Sequence, residues 1–493
     1  MASTTSRKKT AAARRGLAPG LIFVNLVGAL ISSLGAPLIP DLAVRQHVSL
    51  STAQWSLTVT ILVSVAATPL MGRIGDGPRR RPVILIALTV VVLGSVLAAV
   101  APSFGWLLVG RGMQGLGQGL TPLTIAVARS SLSDERAAPT VGLLSITNAA
   151  GVGLGYPVTG LMAQQFGASG AFWFGTAVSA GALFAAWMLV PRFVAPSPRR
   201  VDVLGAGLLA ASLACGLLAA TQGPVWGWAS GGVLLLFCVA AVLGAVWVWH
   251  QLHTPHPVVE LRLLRHRAVL TADLTVLAAG IGMYLLLSLT TRLAQAPPEV
   301  GGLGASLTVS GLLLLPLSVG SVVAAWAIRL TLARMPSRLR LPAAALIMFV
   351  AMALFTAFHQ QLWQIVIVMI VAGLGIGVFF SLTPQLIIGA VPAEETASAM
   401  SFNQVLRYVG YSIGSALSAI ILQAHSRPGK PFPDPTGYTT AGAVTCAIWL
   451  LACLVVLLLS PSRPADPPDE AARRSALPAL PAEQSVSGSN PRT

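Results

Sequence analysis

Only 9% of this 493-residue chain is charged, so residues able to do chemistry are few, and several of them interrupt long apolar runs. Arg111 follows Trp106-Leu107-Leu108-Val109-Gly110, Asp273 sits among Ala268 to Leu287, and Arg407 stands four and three residues after Asn403 and Gln404. A charge held in hydrocarbon is costly unless it faces protein, water or a partner, which makes such residues markers of ion and substrate paths. Asp273 is the acid set most clearly within an apolar run, and a carboxyl in a low-dielectric site has its pKa raised toward physiological pH, as a proton carrier requires. Its other reading is an interfacial acid paired with Arg265 or Arg267. Asp41, at the outer end of the first apolar run, is a further proton-coupling candidate. Arg111 either moves or senses a proton through backbone carbonyls or a carboxylate, or snorkels from modest depth. Arg407 is either a substrate contact or the partner of a carboxylate. With the amides of Asn25, Gln114, Asn148, Asn403 and Gln404, it outlines a cavity poor in acids, better suited to neutral or anionic compounds than to dications.

Other chemistries find little support. His250, His253 and His256 form a run that could attract a metal ion, but Pro255 and Pro257 interrupt any helix that would align them, and a loop at a membrane interface is the expected reading. Cys215, Cys238, Cys446 and Cys453 all lie in apolar segments at spacings that match no metal framework. The sequence shows no nucleotide-binding P-loop, and no nucleophile paired with a base. The expectation is a non-enzyme without metal or cofactor. A net charge of +16 could suit nucleic acid, but the cations crowd into loops and tails and orient helices instead.

The elements that must position these residues are membrane spans. The chain is 55% hydrophobic with a mean hydropathy of +0.78, the composition of a polytopic membrane protein. About 20 apolar residues suffice for one helical span. Apolar runs and the breakers between them predict fourteen, near 17–40, 53–74, 83–102, 106–127, 139–163, 169–190, 203–222, 230–250, 268–291, 303–328, 341–358, 362–389, 396–424 and 437–459. The basic start from Arg7 to Arg15 could imitate a signal peptide, yet Leu17 to Ile39 exceeds a signal core and reads as a retained first span. With the N-terminus inside, the only loop cations left outside are Arg45, Arg292, Arg427 and Lys430, so both termini are expected in the cytoplasm. Trp106, Trp226, Trp228 and Trp363 then fall at outer interfaces.

Gly115, Gly117 and Gly119 reappear as Gly373, Gly375 and Gly377, and Gly151 and Gly155 as Gly410 and Gly414. Two pseudo-symmetric six-helix halves are implied, the arrangement of transporters with a midplane site. The expected organisation is a basic cytoplasmic N-tail (1–16), a first half (17–190), a linker with two inserted spans (191–267), a second half (268–460) and a disordered cytoplasmic C-tail (461–493). The whole is an all-α polytopic membrane protein, expected to be a monomer.

The segment Gly72-Arg73-Ile74-Gly75-Asp76-Gly77-Pro78-Arg79-Arg80-Arg81 resembles the loop between the second and third spans of the major facilitator superfamily, with Arg79 where that family usually has a second Gly. The resemblance gives Gly72, Asp76, Arg80 and Arg81 a gating role: Asp76 caps a neighbouring helix N-terminus or pairs with an arginine, latching two helix ends. The alternative is an ordinary positive-inside loop. Arg111 followed by Gln114-Gly115 resembles the fourth-span signature. Gly151-Val152-Gly153-Leu154-Gly155-Tyr156-Pro157-Val158-Thr159-Gly160 resembles the fifth-span motif of the antiporter branches, although Tyr156 parts the Gly-Pro pair and Thr159 replaces a Gly. Gly151, Gly155, Pro157 and Gly160 would bend and pack that helix, with or without meaning for transport direction.

Together with Asp202-x-x-Gly205 and the Gln222 to Trp228 connection, these motifs resemble the fourteen-span drug:proton antiporter branch, which often has an Asp in span 1 where this chain has Gly28. The resemblance implies a transporter of the cell membrane that exports small amphipathic compounds (drugs, antibiotics or metabolites) by proton antiport through alternating access. Its partners would be the small molecule, protons and the lipid bilayer, with the proton gradient in place of a cofactor. The alternatives are proton-coupled uptake of a metabolite and a membrane enzyme or sensor.

Overall fold

The computed structural model describes residues 2–35, 38–76, 79–192, 202–255, 257–259, 261–262, 267–327, 335–392, 395–426 and 433–459, and among them the secondary structure is helical, with no strand. The first half holds α1 (Ala2–Ser33), the short α2 (Ile39–Arg45) and α3 (Leu50–Ala53), then α4 (Trp55–Ile74), α5 (Arg80–Val100), α6 (Phe104–Gly115), α7 (Leu120–Ser131) and α8 (Asp134–Leu189). The inserted pair is α9 (Val203–Trp226) and α10 (Gly231–His253). The second half holds α11 (Arg267–Gln295), α12 (Leu307–Leu312), α13 (Leu315–Ala327), α14 (Ser337–Ala357), α15 (Leu362–Ala390), α16 (Thr396–Ala424) and α17 (Pro435–Leu459). Ten helices among the described residues are long and apolar enough to cross a membrane, and α1 and the α12–α13 stretch contain shorter apolar helices.

The helices depart from the expected simple rods in three places, each for a local reason. The segment near 106–127 is α6 and α7 joined by a 3-10 turn over Leu116–Gly119. The glycines there leave the backbone loosely specified and allow close approach: a Cβ added at Gly28 of α1 would lie 2.5 Å from the Gly117 carbonyl oxygen. The segment near 303–328 breaks into α12 and α13 because Pro316 has no N–H and its ring crowds the Leu312 carbonyl.

The third departure is α8, whose 56 residues would measure about 84 Å as a straight rod. Gly167, at φ 67° and ψ −177°, divides it without the intervening loop expected between 163 and 169. Contacts along α1 show that it folds back there. Asn25 bonds Leu144 and Gly151 packs on Ala29, so the first arm runs with α1. Gly16 packs against Leu189, Gly181 against Phe23 and Gly175 against Leu34, so the second arm runs against it. The basic stretch expected as an N-tail belongs to α1, which is helical from Ala2. The expected C-tail lies outside the described residues.

One apolar core fills the second half around Met348, Phe355, Phe379 and Trp449. The other fills the first half around Leu21, Ile31, Ile84 and Leu88, and at one end continues into Ala397 and Met400 of α16. The halves meet where α4 packs on α16 and where the first arm of α8 packs on α12, α13 and α15. The α4–α16 seam is antiparallel: Gly72 touches Ser401, Val65 and Tyr408 share one cluster, and Thr58 and Ser415 line one cavity. The inserted α9 packs on both α4 and α16, while α10 presents Leu234, Leu235, Val242 and Trp249 outward, as a lipid-facing helix does.

Candidate functional site

At one end of the bundle the halves are clamped. Asp76, in the turn after α4, is 8% exposed, and its Oδ1 accepts the Ala397 N–H at 3.1 Å in the first turn of α16. A carboxylate at a helix N-terminus meets unsatisfied N–H groups and the positive end of the dipole. Burial pushes its pKa up; Ser398, Arg80, Arg73 and the Ala397 N–H pull it back, leaving it raised to about 6. Gly72 lets α16 approach, since an added Cβ would lie 2.9 Å from the Ala397 carbonyl oxygen. Arg80 ties the turn to α7, reaching the Gly75 carbonyl at 3.2 Å, the Ala126 carbonyl at 3.0 Å and Ser130 Oγ at 2.9 Å. Arg81 donates to the Trp187 carbonyl at 2.7 Å. Gly77 and Pro78 lie outside the described residues.

Arg129, which the sequence offered only as one more loop cation, closes the clamp from α7. It donates to the Val391 carbonyl at 2.9 Å, the Pro392 carbonyl at 3.3 Å and Thr396 Oγ1 at 2.6 Å, covering the C-terminal carbonyls of α15.

Further inside, α16 carries the polar cluster. Asn403 Nδ2 donates to Asp273 Oδ1 on α11 at 2.8 Å, and both residues are buried, at 6% and 3% exposure. Arg267 is exposed at the start of α11 and forms no ion pair with Asp273 among the described residues, while Arg265 lies outside them. Gln404 reaches across the halves, donating to the Gln118 carbonyl at 3.3 Å, and also to Tyr408 Oη at 3.0 Å. Tyr408 Oη in turn donates to Gln118 Oε1 at 3.1 Å. Arg407 donates to Gln404 Oε1 and lies over the Phe380 ring at 4.9 Å. The geometry therefore joins Asp273, named for protons, to Asn403, named for substrate, and joins Arg407 to Gln404, the residue next to Asn403 on α16. Gln118 and Tyr408 were missed; the polar Gln118 inside the Gly115 to Gly119 run was the available signal.

The remaining candidates divide between packing and capping. Arg111 is fully buried, donating to the Ser56 carbonyl at 3.2 Å, the Ile31 carbonyl at 3.3 Å and Gln114 Oε1 at 2.6 Å, with the Phe172 ring 5.9 Å away. Burial so complete replaces the snorkelling alternative with carbonyl-held placement. Gln114 passes the chain on to Ser95 Oγ at 3.0 Å. Asn25 ties α1 to α7 and α8 through Thr121, Leu144 and Thr147. The Asn148 side chain lies outside the described residues.

Asp41 is exposed, and its Oδ2 accepts the Ala168 N–H at 2.7 Å, capping the second arm of α8 just after Gly167. Gly151 and Gly155 are buried on α8, Pro157 lies in its interior, and a Cβ added at Gly160 would meet nothing within 4 Å. Tyr156, which parts the Gly-Pro pair, instead packs against Gly311 of the second half.

The histidine run separates. His250 Nε2 lies 3.0 Å from Asp202 Oδ1 and His253 Nδ1 lies 2.7 Å from the Trp249 carbonyl, whereas His256 is outside the described residues. No group of three metal-ligating side chains is found among the described residues. Asp202 caps α9 through the Gly205 N–H at 2.8 Å and binds Gln251 Nε2 at 3.0 Å. Burial raises its pKa, but the bonds from Gly205, His250 and Gln251 outweigh that and hold it below the usual carboxylate value.

At the end opposite the clamp, α4, α9, α11 and α16 enclose a vestibule of about 530 Å³. Its wall is mixed, with Gln54, Thr58, Thr221, Gln222, Ser288 and Arg292 among Trp55, Leu217 and Tyr284. A bundle clamped at one end and hollow at the other is what a transporter built of two halves looks like on one side of its cycle.

Comparison with known proteins agrees. The Major Facilitator Superfamily model matches residues 21–415 and 302–491, and the chain belongs to that family. It is a multi-pass membrane transporter, not an enzyme. It is similar to the Multidrug resistance protein Stp of Mycobacterium tuberculosis (strain ATCC 25618 / H37Rv), 27% identical over 421 residues, covering 83% of this chain and 75% of that protein. It is also similar to the Methylenomycin A resistance protein of Bacillus subtilis (strain 168), 25% identical over 459 residues, covering 89% of this chain and 93% of that protein. In fold it is similar to the crystal structure of the human organic anion transporter MFSD10, with a TM-score of 0.63 at 16% identity, covering 90% of this chain and 99% of that one.

Proposed function

We propose that this transporter exports small amphipathic compounds from the cell by proton antiport. The observation that carries the reading is a pair of separate hydrogen bonds made by adjacent residues of α16, Asn403 to Asp273 Oδ1 and Gln404 across the halves to the Gln118 carbonyl. A proton taken by Asp273 would change what holds Asn403, and the next residue on the same helix is bonded across the halves. The resistance functions in the names of the Mycobacterium and Bacillus relatives support export, and the bacterial source of both supports the cell membrane. In this reading α1, the α6–α7 pair, each arm of α8 and the α12–α13 pair all cross the bilayer beside the other long helices, giving fourteen spans. The clamped end, rich in arginine, faces the cytoplasm together with both termini. Buried Arg407, held by Gln404 and the Phe380 ring, supports neutral or anionic compounds over dications.

Retention of a panel of cationic, neutral and anionic compounds in efflux-deficient cells tests this. Expression should lower retention, a protonophore should restore it, and Asp273→Asn should mimic the protonophore while leaving the amount of protein in the membrane unchanged. Raised retention would mean uptake, and full export by Asp273→Asn would remove Asp273 from the coupling step.

A further inference from the structure

A second cavity lies beside the vestibule, on the lipid side of the seam between the inserted pair and the second half. It measures about 400 Å³ and is lined by Leu213, Gly216 and Leu217 of α9, Phe237 and Ala240 of α10, Val65 of α4, and α16 from Tyr408 to Ile420. The wall is almost wholly apolar, and along α16 it extends over about 18 Å, since Tyr408 and Ile420 are twelve residues apart. Phe237, Ile413 and Ile420 are 40%, 39% and 46% exposed, so the cavity opens toward hydrocarbon.

Leu217 and Ala220 line both this cavity and the polar vestibule, and the α16 residues at the divide are small, with Ser412 and Ala416 on one side and Ser415 and Ala419 on the other. The two spaces are therefore parted by little more than one helix edge. Among the described residues, the cation on the vestibule wall is Arg292 and no acid lines either space.

We propose that the two cavities form one bipartite site for a single-chain anionic amphiphile, the alkyl tail lying in the lateral pocket and the head group in the vestibule at Arg292. This rests on the export reading and narrows its substrate class. An apolar pocket matches an alkyl chain by burying it without leaving polar groups unpaired, and the chain is already dissolved in the membrane that the pocket faces. The inserted pair α9–α10 supplies one wall of the tail pocket, so in this protein the insertion is part of the binding site. Tyr408 closes the inner end of the pocket with its ring, while its hydroxyl reaches Gln118. Occupancy by a tail is thereby felt by the bond network that joins the halves.

The test uses the full-length protein in phosphatidylcholine vesicles with a long-chain fatty acid carrying a photoreactive group near its tail end. Crosslinked residues are mapped by peptide mass spectrometry. The expected result is labelling concentrated on 213–217 and 409–420, lost at least five-fold in Ala416→Leu, which fills the pocket, and reduced in Arg292→Gln, which leaves it open. Labelling of the outward face of α10 by the same probe should change in neither variant, which reports intact folding and ordinary lipid contact. Equal labelling of the pocket and of the α10 and α17 outer faces would overturn the proposal, as would labelling indifferent to Arg292→Gln. The outcome is independent of the retention experiment: export without pocket labelling would leave the transporter reading standing and remove the bipartite site.

Discussion

Asp76 accepts the Ala397 N–H at the start of α16, the helix-end capping its motif implied, and its titration gives that contact a sign. In the clamped state burial holds its pKa at about 6, against 3.8 for a solvated aspartate. The clamp therefore binds the proton more tightly than the released turn does. Its contribution to clamping is fully present below about 3.8 and is lost as the pH rises through about 6. Spin labels at Arg79→Cys and Gly389→Cys, both exposed on opposite sides of the clamp, would report it in a background without the four native cysteines. The short-distance population should fall several-fold between pH 5 and pH 8. Asp76→Asn keeps an acceptor for the Ala397 N–H and has no charge to desolvate, so it should stay clamped across that range. A clamp that tightens with rising pH would show that the dipole and arginines outweigh burial. The partners of Asp76 were not legible: Ala397 is 321 residues away, and no local pattern names it.

At the scale of helices, legibility followed the solvent. Hydrocarbon imposes long apolar runs, so each expected span has a helical counterpart, while breaks inside runs depend on which carbonyl a glycine or proline exposes. Pro316 was a readable break and was passed over; the 3-10 turn at Leu116–Gly119 was hidden because glycine also serves plain packing. That turn also explains a departure from the antiporter branch. Gly28 stands where an aspartate often stands in span 1, and here its Cα faces Gly117 so closely that a Cβ would lie 2.5 Å from the carbonyl oxygen. Close helix contact leaves no room for a side chain at that position. Gly28→Asp should therefore cost about 1–3 kcal/mol through overpacking alone. The expected readout is a lowered Tm in detergent, with no gain in proton coupling; an unchanged Tm with steeper pH dependence of transport would mean that the helices part readily and the site accepts an acid.

At the scale of the whole molecule the question is which motion joins the two ends, and the α4–α16 seam answers it. Repeats predict two halves, but the long helices are apolar enough that pairings across them leave no trace in the pattern. The structure pairs Gly72 with Ser401 at the clamped end and sets Thr58 and Ser415 on the wall of one cavity at the hollow end, so the same two helices are tight at one end and open at the other. If the halves rock about this seam, closing the vestibule must open the clamp. In the cysteine-free background, Arg79→Cys with Gly389→Cys, both exposed on either side of the clamp, should be bridged at rest by a short bifunctional thiol reagent, which should abolish transport until reduced. Thr58→Cys with Ser415→Cys should crosslink slowly at rest and several-fold faster when substrate and a pH gradient drive the cycle, because only the alternate state brings that end together. Once both pairs are formed in one molecule the rocking model fails, since rigid halves cannot be closed at both ends unless α4 or α16 bends, and the bend would then have to lie at Pro69 of α4 or at Gly410 and Gly414 of α16, the positions where those helices hold least tightly to their own turns.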